Sequence, residues 1–450
     1  MLKAGGSAVD AALATNAALA VLEPMMNGPG GDLMALVWDE VSGELVGYNG
    51  AGRAPSGLSF AALKAELASR GEVDIPTIGP LSVTVPGAVR GWCDLHARFG
   101  KLPFAAVLAP AIALARGGAP VPPVIAAEWA APRNDTDATS GGHYPAALAG
   151  WHAVFGAPPH STGEVFANPA LGDTLAALAA GGCDVFYAPG GAIAEKIVAM
   201  GASTGLRISA GDLAAHRGEW VAPVNTSFRG TTLFQLPPNP QGAAALEAMN
   251  VLEAFNFSSG EFNSADYLHA HIEAKKLAFA DASAYFADPD FVEVPVEGIV
   301  SKAYAASQRA RINMSSAART DAPGLPPGGA PRRALRDMYG GDTTYLTAAD
   351  SSGMMVSWIQ SLYTGFGSGL VDPTLGFALQ SRGALFSMVE GHPNVYAPGK
   401  RPFHTIMPGM AAQLPSADTP LGGGAQGAAA VGGGAPWVLS YGVMGGFMQP

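Results

Sequence analysis

Apolar and polar positions divide the 450-residue chain into a short list of elements. Residues 7–22 form an alanine- and leucine-rich run that predicts a helix, stopped at Glu23-Pro24. A glycine-rich turn, Asn27-Gly28-Pro29-Gly30-Gly31-Asp32, separates it from two strand-like runs at 33–38 and 44–49, which read as a hairpin. A further strand is expected at 81–85 and a helix at 91–99. A second helix is expected at 103–115, broken at Pro110. Residues 117–159 are rich in proline and loop formers. Helices are expected at 174–180, 191–200 and 264–285, and a glycine/proline linker at 324–331. From 343 onward the pattern turns to strands. Segments 343–349 and 354–361 flank the loop Asp350-Ser351-Ser352-Gly353 as a second hairpin. Residues 415–435, glycines among alanines, read as a flexible insertion between two strands.

Composition narrows the classes. Hydrophobic residues at 48% fill a large core, and 14% charged residues argue against disorder. The net charge of −11 comes without a basic stripe, so no nucleic-acid partner is expected. The run at 8–22 is interrupted by Asp10, Thr15 and Asn16. It predicts a buried helix and not a membrane span. No signal-peptide pattern opens the chain, which favours a cytoplasmic protein unless the N-terminus is incomplete. Cys93 and Cys183 form no metal motif and read as packing or incidental thiols. The nine histidines do not cluster at ligand spacing, so neither metal nor cofactor is expected. Gly365-Phe366-Gly367-Ser368-Gly369 lacks the spacing and context of a dinucleotide loop.

The chemistry concentrates at Gly341-Asp342-Thr343-Thr344. If the second hairpin centres on Ser352, Thr343 lies opposite Ser361, with Cβ atoms ~5 Å apart. A threonine hydroxyl is a poor nucleophile until a base takes its proton. A free α-amine with a pKa of ~7.7–8.0 can be that base. Only an N-terminal threonine carries both groups, so the chain would first have to be cut at Asp342-Thr343. Gly445-Gly446 offers backbone N–H groups suited to an oxyanion hole. Taken singly, a Thr-Thr pair in a strand reads as packing, and a Gly-Gly pair as a turn.

Several segments in order carry a resemblance: Gly5-Gly6-Ser7-Ala8-Val9-Asp10-Ala11-Ala12, Glu23-Pro24 with Gly28-Pro29-Gly30-Gly31, Val85-Pro86-Gly87, the run from Glu273 to Asp281, and Pro398-Gly399-Lys400-Arg401-Pro402. Together they resemble the gamma-glutamyltranspeptidase family. The resemblance implies an α+β fold, the αββα sandwich of N-terminal-nucleophile hydrolases, here expected to be incomplete at both ends. It implies one precursor cut into a large subunit, 1–342, and a truncated small subunit, 343–450. It places the nucleophile at Thr343, a supporting hydroxyl at Ser361 and the oxyanion glycines at Gly445 and Gly446. The substrate side departs from the family. Its glutamyl-binding asparagine falls on Tyr363, its ammonium-binding aspartate on Ala384, and its paired serines on His404 and Thr405. Its arginine has no exact counterpart, with Arg53 two residues later. Arg382 is a candidate clamp for a substrate carboxylate. The pattern resembles the branch of oxamate amidohydrolases, acting on a small amide that carries a carboxylate. A true gamma-glutamyltransferase or glutathione hydrolase, and a non-catalytic homologue, are the other readings.

Overall fold

The computed structural model describes residues 1–130, 145–156, 161–319, 322–330, 332, 341–413 and 437–450. Two antiparallel sheets form its centre. Strands β1 (Asp32–Asp39) and β2 (Glu44–Asn49) make the expected first hairpin. They are followed by β3 (Glu219–Val221), β4 (Val224–Phe228) and β5 (Thr231–Gln235). Then come β6 (Asp342–Ala349), β7 (Met355–Tyr363), β8 (Gly409–Gln413) and β9 (Trp437–Tyr441). One sheet runs β3-β2-β1-β7-β6 and the other β9-β8-β5-β4.

Strand β1 explains the layering. Its sequence, Leu33-Met34-Ala35-Leu36-Val37, is apolar without alternation, as a strand buried on both faces must be. Leu33, Ala35 and Val37 face a helical layer together with Val356 and Trp358 of β7. Met34 and Leu36, with Ile359, meet Phe234, Met410 and Ala412 of the second sheet and Leu236 and Ile406 beside it. The helical layer contains α1 (Ala8–Leu22), α2 (Ala88–Phe99), α3 (Phe104–Gly117) and α4 (Pro169–Gly181). Ser7 caps α1 through a reciprocal bond with Asp10, a sequence signal that sets the helix start. On the far side, α5 (Gly242–Leu252) lies against β4 and β5, and α6 (Ala265–Tyr285) and α7 (Lys302–Arg309) pack on it. Small residues Ala243, Ala244, Ala278 and Ala282 let those helices approach closely. The result is the expected αββα sandwich.

Several expectations need correction. Residues 81–85 are not a sheet strand. A 3₁₀ turn covers Pro80–Ser82, and Val85 N–H then donates to Arg53 O at 3.0 Å, in a loop. Helix α3 runs straight through Pro110, which costs one backbone donor and does not end the helix. The proline-rich stretch holds two helices, Pro123–Ala130 and Pro145–Phe155, where proline opens the first turn as it does readily. Trp129, Trp151 and Phe155 bury their rings around Phe366, which anchors these two helices. The glycine/alanine-rich insertion falls outside the described residues. The strands flanking it, β8 and β9, pair directly.

Cys93 and Cys183 are not free thiols but a disulfide, with Cα atoms 6.2 Å apart. Cys93 sits on α2 and Cys183 just beyond α4, and sheet packing brings the two together across 90 residues. Among the described residues no helix is long and apolar enough to cross a membrane. A crosslink over so long a loop restricts the unfolded chain, so a paired Cys93→Ala, Cys183→Ala variant should lose about 2–4 kcal/mol in denaturant titration. An unchanged midpoint would show that the bond contributes nothing to stability.

Candidate active site

Strands β6 and β7 keep the register expected for a loop centred on Ser352. Ala349 pairs with Met355, Tyr345 with Ile359 and Thr344 with Gln360. The register then slips, and Asp342 pairs with Tyr363, so that Ser361 and Leu362 of β7 together oppose Thr343 in a bulge. The Thr343 hydroxyl still donates to Ser361 Oγ, at 3.2 Å, and both residues are buried. Thr344 points the other way and donates to Glu23 Oε2 at 3.2 Å.

Ser361 also receives the Arg382 NH2 group at 2.5 Å and the Tyr363 backbone N–H at 2.9 Å. The second contact needs the backbone of Tyr363 to turn back sharply, and its φ is +82°, a region that favours glycine. Arg382 NH1 donates to Thr405 Oγ1 at 2.5 Å, and the guanidinium lies 4.9 Å from the centre of the Tyr363 ring. Arg382 is fully buried. Among the described residues no carboxylate lies within ion-pair distance of it, and its Nε has no hydrogen-bond partner. Burial lowers its pKa to about 10. Among the described residues, this cation beside the threonine has no carboxylate in contact.

Asp32 anchors this corner from β1, where it pairs with Ser361 across the strands. Its Oδ1 accepts from Gly52 and Gly87 N–H at 3.1 and 3.0 Å. Its Oδ2 lies 3.2 Å from His404 Nε2. His404 Nδ1 accepts from Ile406 N–H at 3.3 Å, so the ring is neutral with its proton on Nε2. Burial, followed by the charge of Arg382, pushes its pKa down to about 4. The glycine turn before β1 is needed sterically: a Cβ on Gly31 would lie 2.6 Å from Ser361 O.

Gly445 and Gly446 have φ of +132° and +55° and sit next to the same corner. Gln241 Nε2 fixes them there, donating to Gly446 O at 2.9 Å and to Thr405 O at 2.6 Å. Of the residues singled out from sequence, Thr343, Ser361, Tyr363, Arg382 and Thr405 form one connected group, with His404 behind it. Arg53 is engaged elsewhere. It pairs with Asp288, Asp290 and Glu219 at 3.0, 2.6 and 3.2 Å, in a cluster that also holds Arg401. Sequence reasoning passed over Asp32, Gln241, Glu23 and Gln449. Asp32 had a signal, as a carboxylate directly after a glycine turn. The two glutamines had none, because their partners lie far along the chain.

A family model described as Gamma-glutamyltranspeptidase matches residues 1–448. The chain is 34% identical over 451 residues to the Glutathione hydrolase-like YwrD proenzyme of Bacillus subtilis, covering 100% of this chain and 76% of that one. It is 35% identical over 419 residues to the Oxamate amidohydrolase proenzyme of Klebsiella pneumoniae, covering 91% and 73%. The crystal structure of a cephalosporin acylase from Bacillus halodurans superposes with a TM-score of 0.84 at 40% identity, covering 100% of this chain and 75% of that chain.

The buried histidines set a pH dependence. Unfolded, each binds its proton near pH 6.5. Folded, burial delays this to about 4 for His404 and His392 and about 3 for His216. Between those values the unfolded chain holds more protons, so stability is full above pH 6.5 and falls as pH drops toward 4. Glu247, whose pKa burial and Asp281 raise, acts in the opposite sense. The denaturation midpoint should therefore fall from pH 7 to pH 5. In His404→Gln the slope should be shallower by up to about 1.4 kcal/mol per pH unit. An unaltered slope would show that His404 titrates normally in the fold.

Proposed function

Because the chain belongs to the gamma-glutamyltranspeptidase family and is an N-terminal-nucleophile hydrolase, we propose that it cuts itself before Thr343 and then hydrolyses a short amide bearing a carboxylate. The observation that carries this reading is the Thr343 hydroxyl bonded to Ser361, which is itself bonded to Arg382, a buried cation with no carboxylate in contact among the described residues. Thr343 Oγ adds to the Asp342 carbonyl carbon, the C–N bond breaks, and the hydroxyl proton ends on the leaving nitrogen. Water then hydrolyses the ester, leaving a carboxylate on Asp342 and a free amine and hydroxyl on Thr343. The pieces are 1–342 and 343–450, and they remain packed through the shared sandwich.

In turnover the new amine takes the Thr343 proton and Oγ attacks the substrate amide carbon. The amine returns that proton to the departing nitrogen. Water repeats the sequence to release the acid. Gly445 and Gly446 supply N–H groups to the developing oxyanion, where one donor is typically worth ~10²–10³ in rate. Arg382 pairs the substrate carboxylate. Buried, and with no carboxylate in contact among the described residues, it gains more from an anion than an exposed arginine would. Ala384 and Tyr363 offer no carboxylate to a substrate ammonium, and leaving an ammonium buried and unpaired costs several kcal/mol. The relative named as an oxamate amidohydrolase supports the same substrate class.

The test is kcat/KM for oxamate against glutathione, with Thr343→Ala and Ser361→Ala measured alongside. Oxamate should be preferred. Thr343→Ala should abolish turnover, and Ser361→Ala should slow it by about tenfold or more without unfolding the protein. A clear preference for glutathione would overturn the substrate assignment and favour the glutathione hydrolase reading. An active Thr343→Ala would overturn the nucleophile.

A further inference from the structure

The turn that carries Gly445 and Gly446 touches the chain on both sides of the bond between Asp342 and Thr343. Upstream, Gly341 has a φ of +138°, and a Cβ added there would lie 2.8 Å from Gly446 Cα. Only glycine lets the chain lie this close to Gly446. Downstream, Gln449 Nε2 lies 3.5 Å from Thr343 Oγ1. The carboxamide of Gln449 has a defined orientation. Its Oε1 accepts from Met407 N–H at 3.3 Å, and a backbone N–H requires an oxygen there. The amide protons therefore face the threonine oxygen, whose own proton goes to Ser361. Gln449 is buried, so its carboxamide has little water to bond instead. Gln241, holding Gly446 O and Thr405 O together, ties this turn to the loop that carries Arg382's partner.

We propose that the Gly445–Gln449 turn clamps the precursor for self-cleavage, with Gly341 and Gln449 as positioning residues on either side of the bond that breaks. The inference rests on Thr343 as the nucleophile. Contact at Gly341 fixes the upstream end of the Asp342 unit, and Gln449 fixes the attacking oxygen. The few torsions left between them hold Oγ near the carbonyl carbon, which is where positioning lowers a barrier. After cleavage Gly341 leaves with the upstream piece, while Gln449 stays beside Thr343. The two residues should therefore differ in their later effect.

The experiment follows conversion of full-length chain to a fragment beginning at Thr343 by intact mass, and then oxamate turnover per converted molecule. Gly341→Ala should convert roughly tenfold more slowly or worse, because of the clash and the positive φ. The molecules that do convert should turn over as wild type. Gln449→Leu should slow both conversion and kcat by about tenfold, with KM within about threefold. Gln449→Glu keeps the size but loses the donor when ionised. Its conversion, relative to wild type at each pH, should recover as the pH is lowered and the carboxyl is protonated. Wild-type conversion in Gly341→Ala, or wild-type behaviour of Gln449→Leu in both steps, would overturn the clamp. If Gly341→Ala does not fold, the two Gln449 variants decide. Thr343→Ala separates the levels. If it is still cut, the nucleophile assignment fails and the clamp with it. If it stays uncut while Gly341→Ala converts normally, the clamp alone fails.

Discussion

The register between β6 and β7 is the constraint on which the site depends. Side chains alternate along a strand, so a slip of one residue would turn Thr343 out of the space between the sheets and Thr344 into it. Burial on both faces forbids the slip. Tyr345 and Ile359 must meet the second sheet, while Val356 and Trp358 must meet the helical layer. The bulge opposite Thr343 comes only after this register is established, at the strand end, where an extra residue in β7 does not disturb the ladder behind it. The placement of Thr343 is thus a consequence of core packing some residues away.

Around that hydroxyl the electrostatics are arranged for a negative partner. Arg382 is buried with hydroxyls as its hydrogen-bond partners and, among the described residues, no carboxylate in contact. The neighbouring carboxylate, Asp32, is occupied by two backbone N–H groups and His404. His404 stays neutral and fills the gap between the acid and the guanidinium without neutralising either. The other arginine cluster, Arg53 with Arg401, is satisfied by Asp288, Asp290 and Glu219, and joins residues from the two sides of the Asp342–Thr343 bond. The Arg53–Arg401 cluster has its carboxylates in place, whereas Arg382 has none in contact among the described residues.

Much of this was legible in the chain, for identifiable reasons. The β6–β7 hairpin followed from its turn residues, and counting outward from Ser352 put Thr343 opposite Ser361; the ladder slips before that pair, and the side-chain contact between the two hydroxyls is what remains. Helices α1 and α6 followed from strong formers and clear caps. The strands β3 to β5 escaped because they are three to five residues long and half polar, so no period shows. The segment at 81–85 has strand composition, but its hydrogen bonds go to a loop. The Cys93–Cys183 bond and the roles of Gln241 and Gln449 depend on contacts across 90 to 205 residues, which local pattern does not encode. Arg53 resembled a substrate ligand by position, yet three acidic side chains distant in sequence take it up.

The central claim is that Thr343 becomes a chain terminus, since only then does its nitrogen serve as the base for its own hydroxyl. N-terminal sequencing of the purified, active protein, paired with intact mass, tests it most directly. The account predicts two polypeptides, one of which begins Thr343-Thr344-Tyr345-Leu346. Active protein made up of a single uncut chain, or of a fragment beginning at another residue, would contradict it.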